Sequence, residues 1–285
     1  MARYGMIMDA TKCNGCYNCF LACKDEFCGN DFLPYSVSQP ATGQFWMKII
    51  EKERGSYPKV KVSYTAVPCM HCEKPACVQL AQNGAAYQRA DGIVIIDPQK
   101  AVGQKTLVST CPYRVIYWNE EKQVAQKCTL CAHLLDKGWK EPRCVEACPT
   151  GALIFGDLDD PQSEIAKLLA SGQTEVLHPE YRMGEKVSYI GLPKRFVAGA
   201  VVFGDKDECA EGVKVTLEGE GEKKTLSTDN YGDFEFEGLA ADKEYLVSIE
   251  APGYHSQKIA AKTRIDVYLG DIILQKSAAK KVKAK

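Results

Sequence analysis

What the sequence lacks closes off several classes of function. No apolar run approaches the length needed to cross a bilayer. The opening residues Met1-Ala2-Arg3-Tyr4-Gly5 lead straight into a cysteine motif, leaving no room for a signal peptide or a twin-arginine leader. The expected location is therefore cytoplasmic, without direct membrane insertion. Excess charge of either sign is also missing: 36 basic against 37 acidic residues give a net charge of −1. That offers a nucleic acid no electrostatic footing. Nor are the motifs of a self-sufficient enzyme present. There is no phosphate-cradling glycine loop, no nucleophile elbow and no histidine-rich metal site, and no catalytic residue is assigned.

Cysteine is what the chain has in excess: 14 residues, 13 of them before residue 150. A reducing compartment argues against a disulfide scaffold, and the spacing points to metal. The first motif, Cys13-x2-Cys16-x2-Cys19-x3-Cys23, is the bacterial ferredoxin run. Its first three thiolates fit three corners of one cubane, while the fourth, on the turn beyond, ligates another. A mirror motif follows later: Cys128-x2-Cys131, an inserted loop from Ala132 to Arg143, then Cys144-x3-Cys148-Pro149-Thr150-Gly151-Ala152. By the crossover rule, Cys13, Cys16, Cys19 and Cys148 hold cluster 1, and Cys128, Cys131, Cys144 and Cys23 hold cluster 2. Zinc sites instead use cysteine pairs separated by long gaps.

The middle motifs are incomplete in an ordered way. Cys69, Cys72 and Cys77, with Cys111 of Cys111-Pro112-Tyr113, supply the ligands of cluster 3. The partner cluster of an intact ferredoxin pair would need cysteines where Ala81, Ala101, Gln104 and Leu107 stand. One ligand set is thus missing as a unit and the other is whole. The expectation is three [4Fe–4S] clusters on twelve cysteines, with Cys28 and Cys209 left as small side chains. His71 and His133, beside motif cysteines, are expected to pack or hydrogen-bond rather than ligate. Lys74, Lys127 and Arg143 stand where a positive charge would raise a cluster's potential, although simple solvation explains them equally. Trp46, Tyr113, Tyr117 and Trp118 are read as core packing.

Texture divides the remainder. Ser163 to Ala170 has the spacing of a short helix that Gly172 could end, and residues up to Pro193 look extended. From Phe196 the pattern alternates with period two, as in Val213-Lys214-Val215-Thr216-Leu217 and Tyr245-Leu246-Val247-Ser248-Ile249. Turn signals at Asp229-Asn230-Tyr231-Gly232 and Pro252-Gly253 separate the strands, predicting an antiparallel β-sandwich. The expected fold class is α+β. A double-ferredoxin-like [4Fe–4S] domain spans 1–158, a connector 159–195, an all-β sandwich 196–275, and a Lys-rich disordered tail 276–285.

With these residues in view, the chain resembles the iron–sulfur subunits of the dimethyl sulfoxide reductase family. The resemblance lies in Cys13 to Cys23, Cys69-Met70-His71-Cys72, Asp91-Gly92-Ile93-Val94-Ile95-Ile96-Asp97, Thr110-Cys111-Pro112-Tyr113 and Cys128-Thr129-Leu130-Cys131. The missing cluster, the stretch Lys127 to Leu135 and a C-terminal β-domain of Cna-B or carboxypeptidase-regulatory type narrow it. They point to the small subunits of the pyrogallol–phloroglucinol transhydroxylase and resorcinol hydroxylase group. The resemblance implies an electron-transfer subunit of an oxidoreductase, serving a large catalytic partner. That partner would carry molybdopterin guanine dinucleotide with molybdenum or tungsten and act on hydroxylated aromatics in anaerobic metabolism. The alternatives are a subunit of another molybdopterin reductase, hydroxylase or dehydroxylase, or a scaffold whose clusters are structural staples.

Overall fold

The computed structural model describes residues 2–277. These fall into two units: Met1–Glu51 with Ser63–Leu192, and Lys52–Val62 with Pro193–Lys285. No helix among the described residues is long and apolar enough to cross a membrane.

In the first unit, strand Tyr4–Asp9 is the middle of a three-stranded sheet. It pairs antiparallel with Leu153–Asp157 and parallel with Val187–Ile190. Side chains alternate across it, as strand geometry requires. Met6 and Met8 enter the core that also holds Cys23, Cys69, Cys72, Cys128, Cys131 and Cys144. Ile7 turns the other way, to pack with Ile154 and Ile165 under the helix Glu164–Ala170. Ser163 caps that helix by accepting from Ala166 N at 3.1 Å, a contact worth about 1 kcal/mol. Gly172, at φ 71°, follows its end.

Residues 159–192, read from sequence as a connector, belong to this unit instead. The reason lies in Val187–Ile190: Tyr189 is fully buried, and its hydroxyl donates to Ala66 O at 3.0 Å. The strand is an integral edge of the sheet. Other elements are short. The helix Asn18–Phe27 carries two motif cysteines, and Phe27 at its end packs against Trp46 with ring centroids 4.7 Å apart.

The second unit is a sandwich of two four-stranded sheets. Val215, Leu217, Phe234, Phe236, Val247 and Ile249 point inward at every second position and meet in its core. One pairing departs from the antiparallel expectation. Arg195–Phe203 and Val267–Leu274, the first and last strands of the two sheets, run parallel, which the long stretch of chain between them allows. The unit also includes the hairpin tip Lys52–Val62, which sequence texture does not assign to it. Arg54 in that tip grips Asp266 with Nε and Nη2 at 3.0 and 2.9 Å, while the carboxylate also accepts from Phe196 N at 3.0 Å. Of the tail expected at 276–285, Lys276 bridges Tyr254 and pairs with Asp205 at 3.0 Å. Residues 278–285 lie outside the described residues.

Candidate iron–sulfur centres

The motif loops are built from left-handed backbone. Gly15 and Tyr17 have φ of 72° and 62°, His71 of 43°, and Leu130 and Cys131, in succession, of 54° and 50°. Such turns bring backbone N–H groups onto one concave side, forming nests that favour anions and recur at iron–sulfur sites. The amides here do aim at sulfur. Leu130 N donates to Cys128 Sγ at 3.3 Å and His71 N to Cys69 Sγ at 3.5 Å.

The structure brings the motif cysteines together in the sets that their spacing groups. Cys13, Cys16, Cys19 and Cys148 line one hollow. Cys69, Cys72, Cys77 and Cys111 line another. Cys23, Cys128, Cys131 and Cys144 are all buried and lie within electrostatic reach of one another. The sets also adjoin. Cys19 and Cys23 are four residues apart on helix Asn18–Phe27, so they share one face. Cys128 senses both the thiol and the backbone amide of Cys69. The fully buried set therefore stands between the other two, and Cys16, in the first set, is exposed.

Burial acts on the thiols directly. It pushes Cys19, Cys77 and Cys128 up to about 11 and Cys72 and Cys131 to about 12. For Cys23 and Cys144, burial and the neighbouring thiols push the values well above the ordinary range. At Cys148 burial also raises, but amides of Leu153, Thr150 and Ala152 and the Thr150 hydroxyl outweigh it and hold the thiol low. Clusters of buried thiols repel one another as thiolates unless a cationic centre pairs them, which iron supplies. Converging thiols and inward amides fit an anionic, sulfur-ligated cubane.

At the position of the missing set the chain is filled. Ala101 and Leu107 are buried with Val94, Ile96, Ile116 and Val124 in an apolar cluster. Gln104 bonds locally instead, donating to Lys100 O at 2.9 Å and accepting from Gln82 N at 3.1 Å.

The neighbours of the thiols sort clearly. His71 is buried and accepts from Val94 N at Nδ1 at 3.0 Å, so its proton is at Nε2. Burial and the charges of Lys127 and Lys186 hold its pKa well below the usual range. His133 stacks on Phe32 with centroids 3.8 Å apart and meets Glu26 at 2.9 Å. Trp46 is core, Tyr117 donates to Phe45 O at 3.0 Å, Tyr113 bonds Glu185, and Lys105 lies over Trp118 at 5.5 Å. Lys74 is exposed, and Arg143 is engaged by Glu26 and Glu146. Lys127 differs from both: it is 2% exposed and lines the hollow of Cys69, Cys72, Cys77 and Cys111. Lys186 escapes a reading of the sequence because it lies in the stretch that looks like a connector. The alternation of Val187-Ser188-Tyr189-Ile190 is the signal that this stretch is a strand.

Comparison with known proteins agrees with this architecture. A model described as a 4Fe-4S dicluster domain matches residues 60–158, and a carboxypeptidase regulatory-like domain matches residues 197–271. The pyrogallol hydroxytransferase small subunit of Pelobacter acidigallici is 45% identical over 89% of this chain and 92% of its own length. A tetrathionate reductase subunit of Salmonella typhimurium is 36% identical over 68% of this chain and 75% of its own. An arsenate respiratory reductase iron–sulfur subunit of a Shewanella species is 31% identical over 66% and 96%. With cysteine-lined hollows, a dicluster domain and relatives matched over most of their length, the chain belongs to the iron–sulfur electron-transfer subunits of the dimethyl sulfoxide reductase family of molybdopterin enzymes.

Proposed function

We infer that the first unit is double-ferredoxin-like and holds three [4Fe–4S] clusters. Cys13, Cys16, Cys19 and Cys148 ligate the first, Cys23, Cys128, Cys131 and Cys144 the second, and Cys69, Cys72, Cys77 and Cys111 the third. The observation that carries this reading is the gathering of all twelve expected thiols into three neighbouring sets of four. When bound, cubanes ligated wholly by thiolate supply one-electron transfer and leave no iron open to substrate. The residues of this chain then insulate, tune and position the relay. Cys19 and Cys23 link the first set to the second, and Cys128 and Cys69 link the second to the third.

A relay without its own substrate site serves a partner. We infer a large subunit carrying molybdopterin guanine dinucleotide with molybdenum or tungsten, with its active site there. The substrate class is hydroxylated aromatics, supported by the match to the pyrogallol hydroxytransferase small subunit across 89% of this chain. Moving a hydroxyl from one phenolic ring to another consumes no net electrons, so substrate is expected to change the cluster spectrum only transiently.

Anaerobic purification of the chain with whatever large subunit accompanies it tests this. About twelve irons per chain, a matching amount of acid-labile sulfide and molybdenum or tungsten in the companion are expected. Zinc in place of iron would end the reading. Clusters whose spectrum never responds to any phenolic substrate, even on rapid mixing, would reassign them as structural staples.

A further inference from the structure

Two lysines lie inside the cluster-bearing core without acidic partners. Lys127 is 2% exposed and Lys186 is 6% exposed. The Lys127 ammonium donates to the carbonyls of Val94 and Cys128, the latter at 3.0 Å, and Lys186 Nζ donates to His71 O at 3.0 Å. Neither has a carboxylate within ion-pair distance among the described residues; Glu73 acts on Lys186 only from further away. Buried ammonium groups are costly unless an anion pairs them, and carbonyl oxygens alone do not carry a charge. The groups near these lysines that become anionic once iron is bound are the thiols, with His71, whose carbonyl Lys186 holds, standing between Cys69 and Cys72 in the chain. Lys127 lines the hollow of the third set and acts on Cys77 and Cys111 there, and on Cys128 of the second. Lys186 acts on Cys69 and Cys72. Of the other basic residues beside the motifs, Lys74 is exposed, Lys12 and Arg143 are paired with carboxylates, and Lys24, next to Cys23, is half-buried with its ammonium on Gln39, Pro40 O and Gln44 O.

We propose that Lys127 and Lys186 are the internal counter-charges of this relay: Lys127 bridges the second and third cluster sites, Lys186 serves the third alone, and together they raise the reduction potentials there. The inference rests on the three-cluster reading. A thiolate-ligated cluster gains one negative charge with each electron, and a fixed cation nearby favours that reduced form with no proton taken up. Both are positioning residues acting through the clusters.

The test is a potentiometric titration of the complex with its companion subunit, followed by electron paramagnetic resonance, on Lys127→Gln, Lys127→Arg and Lys186→Gln. Glutamine keeps a hydrogen-bond donor and removes the charge, so a change separates charge from packing. Lys127→Gln is expected to lower two midpoints, each by at least tenfold in the reduction equilibrium, about 59 mV for one electron. Lys127→Arg is expected to restore them, and Lys186→Gln to lower one only. Unchanged midpoints in glutamine variants with full iron content would overturn the proposal while leaving the clusters in place. If Lys127 variants fail to load iron, Lys186→Gln alone decides: a lowered midpoint supports the counter-charge role and an unmoved one overturns it. A wild-type protein without cubane iron would instead remove the underlying reading.

Discussion

The ring of Tyr64 lies against the backbone of Gly15, so close that a Cβ at position 15 would run into it. The same glycine sits at φ 72°, between Cys13 and Cys16. Gly15→Ala therefore meets two penalties, about 1–2 kcal/mol for left-handed backbone and a clash that displaces either the ring or the cysteine loop. The expected outcome is loss of about four of roughly twelve irons per chain, since only the first set is touched. Gly29, at φ 77°, has nothing within 4 Å of its would-be Cβ, so Gly29→Ala carries the strain without the clash. Iron analysis of the two variants side by side checks the argument, and equal loss in both would refute it.

Cysteine-to-serine changes should be sharply unequal along the chain. Cys111→Ser removes one of the thiols around the hollow of the third set and is expected to lower iron from about twelve to about eight per chain. Cys209→Ser, on the exposed edge of the sandwich unit, and Cys28→Ser, at an isolated bridge to Gln39, should leave iron and visible absorbance unchanged. Iron loss in either control would mean the sets are drawn wrongly.

Why the cysteine motifs are legible in the sequence, and much else is not, follows from range. Cys13 to Cys23 and Cys128 to Cys148 carry their geometry in local spacing. The helix Glu164–Ala170 is legible for the same reason, through its Ser163 cap and Gly172 stop. Tyr189 pairs its strand in parallel with one near residue 8, and nothing local announces a parallel partner so distant. Arg54 and Asp266, 212 positions apart, place a hairpin tip in the sandwich unit by an ion pair that no periodicity encodes. Lys74, Lys127 and Arg143 look alike in sequence, each beside a cysteine motif. Burial, a property of the whole fold, is what separates them.

Cluster assembly should depend on pH in a direction set by the thiols. Burial raises Cys19, Cys77 and Cys128 to about 11 and Cys72 and Cys131 to about 12, so without iron they hold their protons at neutral pH. Loading iron then releases those protons, and apparent affinity is expected to fall as pH drops from about 8 to about 6. The same direction fixes the stability of the iron-free chain. Folded values raised above the unfolded value of 9.0 mean a contribution present below about 9 and lost as pH rises through 11 to 12. Proton release measured during anaerobic reconstitution, with melting of the iron-free form at rising pH, checks both. Iron uptake indifferent to pH would show that other groups bind it.

Asp266 offers a test of the second unit alone. Its carboxylate is buried, which by itself would raise its pKa, yet the Arg54 guanidinium and the Phe196 amide outweigh that and hold it below the usual carboxylate range. A depressed folded pKa stabilises above the unfolded value and is lost as pH falls through the folded one, so acid should loosen this unit from about pH 4 downward. Asp266→Ala leaves Arg54, itself 10% exposed, without its partner. Removing one member of a buried pair costs about 3–5 kcal/mol, more than the pair itself contributes, because the remaining charge stays desolvated. The expected result is an earlier unfolding transition for the β-unit, seen by far-ultraviolet circular dichroism. Arg54→Met combined with Asp266→Leu should recover much of the loss, since neither charge then remains buried. If the double variant melts no later than Asp266→Ala, the penalty lies in packing around Phe196 rather than in the unpaired guanidinium.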